Sequence, residues 1–267
     1  MTSAAGDTGW SEFHKRFAVQ GLPQIPDEAL AARYRELIAG RDQRVLLLGI
    51  TRVLASLGCD LTALDFSLAQ IERMWPGDAS KRRALLGDWR DLEPPREPFT
   101  AAIGDGSLST LAWPGEYRTV LDRVAAALAP GGVLVVRCFL APDEREPLDR
   151  VVADVLEGRE RDCNAARWRV AMAISDGQGA IAARDLAATW RRVFPDLAAL
   201  AELTGWSLDG MTVIFDTFSR STARFSFVTG AAVLETLPPL LANARFVPSG
   251  RYPLAERCPF LVAERAR

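Results

Sequence analysis

RVLLLGITRVLASLGCDLTALD, residues 44–65, reads as a strand, a turn, a short helix and a second strand that ends on a carboxylate. Val45 to Leu48 run straight into Gly49, and Leu61 to Leu64 run straight into Asp65. Two buried strands joined by a crossover open a doubly wound α/β domain, which binds ligands at the carboxyl ends of its strands. A carboxylate ending the second strand suits a ribose diol, because it accepts hydrogen bonds from vicinal hydroxyls. Gly49 is alternatively a left-handed strand terminus, and Asp65 alternatively a cap for the helix starting near Ser67. The linker Gly49 to Asp60 is 12 residues long, near the minimum of about a dozen for a parallel crossover.

Outward from this unit the alternation continues. Ser67 to Trp75 reads as a short helix stopped by Pro76-Gly77, and Ala84 to Leu86 as a third strand ending at Gly87-Asp88. Phe99 to Ile103 is a fourth strand, running into Gly104-Asp105-Gly106-Ser107. Glu116 to Leu128 is amphipathic, with Val120, Leu121, Val124 and Leu128 on one face. Pro130-Gly131-Gly132 reads as a turn, and Val133 to Phe139 as a fifth buried strand. A mostly parallel sheet follows from this alternation.

Residues 1–40 form a helical preface, with Trp10, Phe13 and Phe17 and then Leu30, Tyr34, Leu37 and Ile38 at helical spacing. Pro23 and Pro26 divide it, and Asp27 is placed to cap its second helix. Residues 140–229 break the pattern, with helical stretches near 146–157 and 183–203 and a β-like pair, Met211 to Asp216 and Arg224 to Val228. This segment is read as an insertion capping the ligand edge. A helix over 230–242 and strands over 245–252 and 259–263 close the chain as an antiparallel hairpin. The division expected is therefore a helical lid (1–40), a Rossmann-like core (41–139 and 230–267) and a cap (140–229).

The bulk properties exclude several classes. The 267 residues are 49% hydrophobic and 25% charged with a formal charge of -2, which gives no field to gather nucleic acid or anionic lipid. No apolar run reaches the roughly 20 residues that span a bilayer, and MTSAAGDTGW lacks the pattern of a secretory signal. Cys59, Cys138, Cys163 and Cys258 form no CxxC pair, which suits reduced thiols and a cytoplasmic location. With His14 as the single histidine, no His/Cys metal cluster is encoded by spacing, and no metal is expected.

The order Gly49, Asp65, Gly87-Asp88, Asp105 and then LAPGGVLVVR (128–137) is similar to class I S-adenosylmethionine-dependent methyltransferases. The resemblance covers residues 44–139 and, more weakly, 230–264. It implies a doubly wound Rossmann-like sheet of seven strands, the last one antiparallel, with the cap inserted after the fifth. It implies S-adenosyl-L-methionine as cofactor. Gly49 would face the methionine part, Asp65 the ribose with Phe66 and Ser67 beside it, and Asp88 the adenine amino group with Trp89 against the ring; Asp88 is alternatively a turn residue, with Trp89 in the core. Asp105, Gly106 and Ser107 would face the sulfonium and the substrate. The chain departs from the family's E/D-x-G-x-G-x-G loop: Leu47 holds the acidic position, and Ile50, Thr51, Arg52 and Val53 follow Gly49. Thr51 and Arg52 are therefore expected to reach the methionine carboxylate.

Methyl transfer needs mostly positioning, worth roughly 7–11 kcal/mol in favourable cases. His14 is either a surface histidine or the one side chain whose unperturbed pKa suits proton removal near neutrality. The expected function is methylation of a small-molecule acceptor, with a setting in specialised metabolism. The alternatives are an intramolecular cyclisation releasing methylthioadenosine and a non-catalytic binding module with a decayed loop. An NAD-dependent reductase is disfavoured, since G-x-G-x-x-G and a Tyr-x-x-x-Lys pair are both missing. The 230–242 helix and exposed cap strands offer surfaces for a homodimer.

Overall fold

The computed structural model describes residues 21–267; His14, Trp10, Phe13 and Phe17 lie outside the described residues. Helix α1 (Glu28–Leu37) leads into β1 (Val45–Leu48), β2 (Leu61–Asp65), α2 (Leu68–Met74), β3 (Arg82–Leu86), β4 (Phe99–Asp105), α3 (Gly115–Ala127) and β5 (Leu128–Arg137). Then come α4 (Leu148–Leu156), α5 (Cys163–Ile174), β6 (Ala180–Ala182), α6 (Ala183–Val193), α7 (Leu197–Thr204), α8 (Leu208–Arg220) and β7 (Arg224–Ser226). The chain closes with α9 (Gly230–Glu235), β8 (Leu241–Val247) and β9 (Phe260–Arg265).

Seven strands form one sheet in the order β3-β2-β1-β4-β5-β9-β8. The pairs among β1 to β5 are parallel, and β9 runs antiparallel to both β5 and β8. This is the doubly wound sheet with a final antiparallel strand that the sequence implied. Its strand order reverses between β1 and β4, and such a switch point opens a crevice at the carboxyl rim.

The run VLLL can be wholly apolar because both sheet faces are covered. Leu46 and Leu48 pack with Val120, Leu121 and Val124 of α3 on one face. Val45 and Leu47 pack with Leu30 and Tyr34 of α1 and with Ile38 just after it on the other. Asp27 caps α1 as expected, accepting from the Leu30 N–H at 2.9 Å. Residues 148–226 build a mainly helical layer around a separate apolar core that includes Trp168, Trp190 and Phe215.

Several local expectations need correction. Met211 to Asp216 is not a strand but lies inside α8, whose first turn is capped by Ser207 Oγ accepting from the Gly210 N–H at 3.0 Å. The run MTVIF has strand-like local preferences, yet Met211, Ile214, Phe215 and Phe218 at helical spacing bury one face. The partner of β7 is instead β6. The helix read over 183–203 is two, because Pro195 intervenes and Asp196 caps the second. Helix α5 was not anticipated. The helix read over 230–242 stops at Glu235, before Pro238-Pro239, and Leu241 already begins β8. The Pro-Gly-Gly turn is a bulge inside β5: Leu128 pairs with Phe99 and Val133 with Ala101, while Gly131 adopts φ 77°. The expected crossover helix after Gly49 contracts to a single 3-10 turn, Leu54–Ser56.

Candidate functional site

Register brings the distant motif residues to one rim. Leu48 of β1 lies beside Leu64 of β2 and Gly104 of β4, so Gly49, Asp65 and Asp105 follow at the same sheet level. A cavity of about 840 Å³ opens there. Its lining includes Gly49, Thr51, Arg52, Asp65, Phe66, Ser67, Trp89, Asp105, Gly106 and Ser107. Ten of the eleven residues expected around a cofactor therefore meet in one place.

Gly49 has φ 93°, a conformation that favours glycine. A Cβ there would lie 3.3 Å from the Trp89 ring and 3.7 Å from Asp65 Oδ2, so the bare backbone also leaves the rim open. The Leu64 carbonyl accepts from the Gly49 N–H at 2.9 Å and from the Trp89 indole N–H at 2.6 Å, tying the ends of β1 and β2 to the segment after β3. Asp65, 6% exposed, accepts from the Ser67 N–H at 2.8 Å and the Ile50 N–H at 3.2 Å. These bonds fix the orientation of the carboxylate on the cavity wall. Ser67, not Asp65, caps α2, its Oγ accepting from the Gln70 N–H.

Asp88 takes the turn reading, not the adenine one. It is not among the cavity-lining residues; it caps the turn Trp89–Asp91 and pairs with Arg90, which holds its carboxyl below the usual range. A polar group does stand nearer. Gln70 lines the cavity, and its Oε1 is buried without a hydrogen-bond partner. Asp105 lines the cavity, but Arg137 binds both its oxygens, at 2.6 and 2.9 Å. Arg137 is fully buried; burial opposes its charge, but Asp105 outweighs that and raises its pKa. Tyr34 O–H donates to the Gly104 carbonyl at 2.6 Å, and Tyr252 O–H contacts Arg137 Nη1 at 3.1 Å. This network stiffens the β4–β5 corner below the cavity floor.

Ser107 O–H donates to the Leu48 carbonyl at 2.9 Å, lashing the loop after β4 to β1. Gly106, with φ 65°, admits the Phe139 ring, since a Cβ would come within 2.6 Å of it. The helical layer closes the far side through Phe139, Trp168, Arg224 and Phe225, and the segment before α1 contributes Gln24, Ile25 and Pro26. Sequence reading missed Tyr34, Gln70, Arg137 and these wall residues. Only Arg137 carried a signal, as a charge ending an apolar strand. Among the described residues, no group of three or more His, Cys, Asp or Glu is placed to hold a metal ion. Nor is any helix among them long and apolar enough to cross a membrane.

No family model and no curated protein matches the chain. Solved structures do. One is a Rhodobacter sphaeroides protein provisionally assigned to the Zn-dependent alcohol dehydrogenases: TM-score 0.60, 12% identity, covering 99% of this chain and 100% of that one. Another is the N-methyltransferase NodS from Bradyrhizobium japonicum WM9 in complex with S-adenosyl-L-homocysteine: TM-score 0.50, 15% identity, covering 96% and 98%. At such identities the likeness shows the fold alone: the chain shares the doubly wound α/β architecture of these structures.

Proposed function

We propose that this chain is an S-adenosyl-L-methionine-dependent methyltransferase acting on a small-molecule acceptor. The observation that carries the reading is Asp65, a buried and oriented carboxylate ending β2 on the wall of an 840 Å³ cavity beside the open backbone of Gly49. Ligands of doubly wound sheets bind at this rim.

The residues present fit an adenosyl sulfonium. Asp65 would accept from the ribose hydroxyls, with Ser67 fixing its approach. Phe66 and Trp89 offer apolar surface to the base, and the orphan Gln70 Oε1 offers its amino group an acceptor in place of Asp88. Thr51 and Arg52 would meet the methionine carboxylate, since the Arg52 guanidinium has no ion pair among the described residues. When bound, the cofactor supplies an electrophilic methyl carbon. The chain's own part is to hold the acceptor in line and to exclude water, which the wall of Phe139, Trp168 and Phe225 favours. Asp105 is neutralised by Arg137, and Gly106 and Ser107 shape the floor on which the two reactants would meet. Residues 1–40 as lid and 140–229 as cap complete this reading, with His14 as the candidate base.

Four free cysteines support a reducing, cytoplasmic setting. Calorimetry with S-adenosyl-L-homocysteine tests the cofactor: micromolar affinity is expected, and no heat at millimolar ligand would refute it. Product analysis with S-adenosylmethionine and an acceptor mixture tests the reaction. S-adenosylhomocysteine marks methyl transfer; methylthioadenosine would replace it with cyclisation.

A further inference from the structure

Two arginines beside the acceptor half of the cavity form no ion pair among the described residues. Arg224 begins β7, which packs against the turn Leu108–Thr110 after β4. It therefore stands beside Ser109 and Thr110, which also line the cavity. Its side chain is exposed to the cavity, with no ion pair among the described residues. Arg167 of α5 lies behind the same wall and is 0% exposed. Its Nε and Nη1 have no partner, and Nη2 donates only to Gln24 Oε1 at 2.7 Å. Both Gln24 and Trp168, whose ring Arg167 covers at 5.1 Å, line the cavity.

A buried guanidinium without an anion is costly and persists where something compensates it. Asp162 favours the Arg167 charge from a distance without forming an ion pair with it, and the wall's carboxylates are engaged elsewhere: Asp105 is paired with Arg137, Glu28 comes within 3.9 Å of Arg35, and Asp65 belongs to the cofactor half. The remaining surface on this side is aromatic, with Phe139 stacked on Trp168 at 5.7 Å and Phe225 edge-on to it at 5.3 Å. Resting on the methyltransferase reading, we propose that the acceptor is a planar carboxylic acid. Its flat apolar body lies against Phe139, Trp168 and Phe225, and its carboxylate is bound by Arg224 in the positive field of Arg167. Arginine suits this role because its planar fork matches a carboxylate.

The test is a titration of the full chain with benzoate, salicylate and naphthoate and with their primary amides, with and without saturating S-adenosyl-L-homocysteine. Acids are expected to bind about 10- to 100-fold more tightly than amides, the range of a charge-assisted pair. Arg224→Gln should erase that preference while leaving S-adenosyl-L-homocysteine affinity unchanged. Arg167→Met should raise the melting temperature, because it removes a buried charge that has no ion pair, and should weaken acid binding severalfold. A preference for acids that survives in Arg224→Gln overturns the proposal, as does the absence of acid binding at millimolar concentration in both states. An Arg167→Met protein with unaltered stability and acid affinity removes Arg167 from it. If the acids are discriminated through Arg224 but S-adenosyl-L-homocysteine does not bind, the cofactor reading fails and the anion site stands.

Discussion

Asp65 already holds two backbone N–H groups before any ligand reaches it, so its substitutions separate binding from folding. Asp65→Asn keeps an acceptor for one of them and loses the charge; Asp65→Ala loses both. Cofactor affinity is expected to fall about 10–100-fold in the alanine variant, as charge-assisted bonds are lost. Calorimetry checks this, and unchanged affinity in a folded variant would contradict the assignment. Gly106 gives a second residue-scale expectation. Alanine there meets the Phe139 ring within 2.6 Å in a backbone conformation of φ 65°. The side chain must displace the ring, so Gly106→Ala should destabilise by about 1–3 kcal/mol and reshape the acceptor wall. Chemical denaturation measures the first effect.

Elements carry a different lesson. The β4–β5 register sets Asp105 beside Arg137, and the two charges become a fully buried pair. Arg137→Met alone strands a buried carboxylate and should cost about 3–5 kcal/mol, whereas Arg137→Met with Asp105→Leu should recover most of that. Urea melts of the single and double variants decide it; an equal loss in both would show that the pair is not the source. That pairing was half legible in the sequence. Both residues end apolar strands, but only the sheet order makes them neighbours. Gly49 and Asp65 were legible because strand termination is written in adjacent residues. Helix α8 was misread because local preference favours strand in MTVIF, and burial of one helical face in the cap core overrides it. Asp88 falls to its turn reading because its own neighbour Arg90 captures it, a two-residue contact that a family pattern does not encode.

For the whole molecule, an ion network fastens the helical layer to the sheet. Arg169 pairs with Glu146, Asp154 and Glu160, and Arg257, in the hairpin between β8 and β9, reaches Glu146 at 3.0 Å. The hydrogen bond from Arg169 leads in lowering the Asp154 pKa from 3.8 to about 2. Burial opposes the Glu146 charge, yet Arg169 and Arg257 hold its pKa below the usual value. Depressed folded-state values mean that the unfolded chain binds more protons in acid, so this stability is present above about pH 4 and lost as pH falls through the folded values. The melting temperature should therefore drop steeply between pH 4 and 2, and less steeply in an Arg169→Met variant. Identical slopes would remove the network as the cause.

The alternation of apolar runs with glycine, proline and acidic ends determined a mostly parallel α/β sheet and set Gly49 and Asp65 at strand ends, because those features are written in neighbouring residues; the closing antiparallel strand was implied by the family resemblance. The cavity's far wall, the Gln70 acceptor and the Tyr34, Arg137 and Arg167 environments came only from the folded molecule. Tyr34 lies 70 residues from Gly104, and Arg167 lies 143 from Gln24. Contacts at such separations are set by how layers pack, and hydrophobic packing is non-directional, so no local pattern announces which polar groups it will bring together.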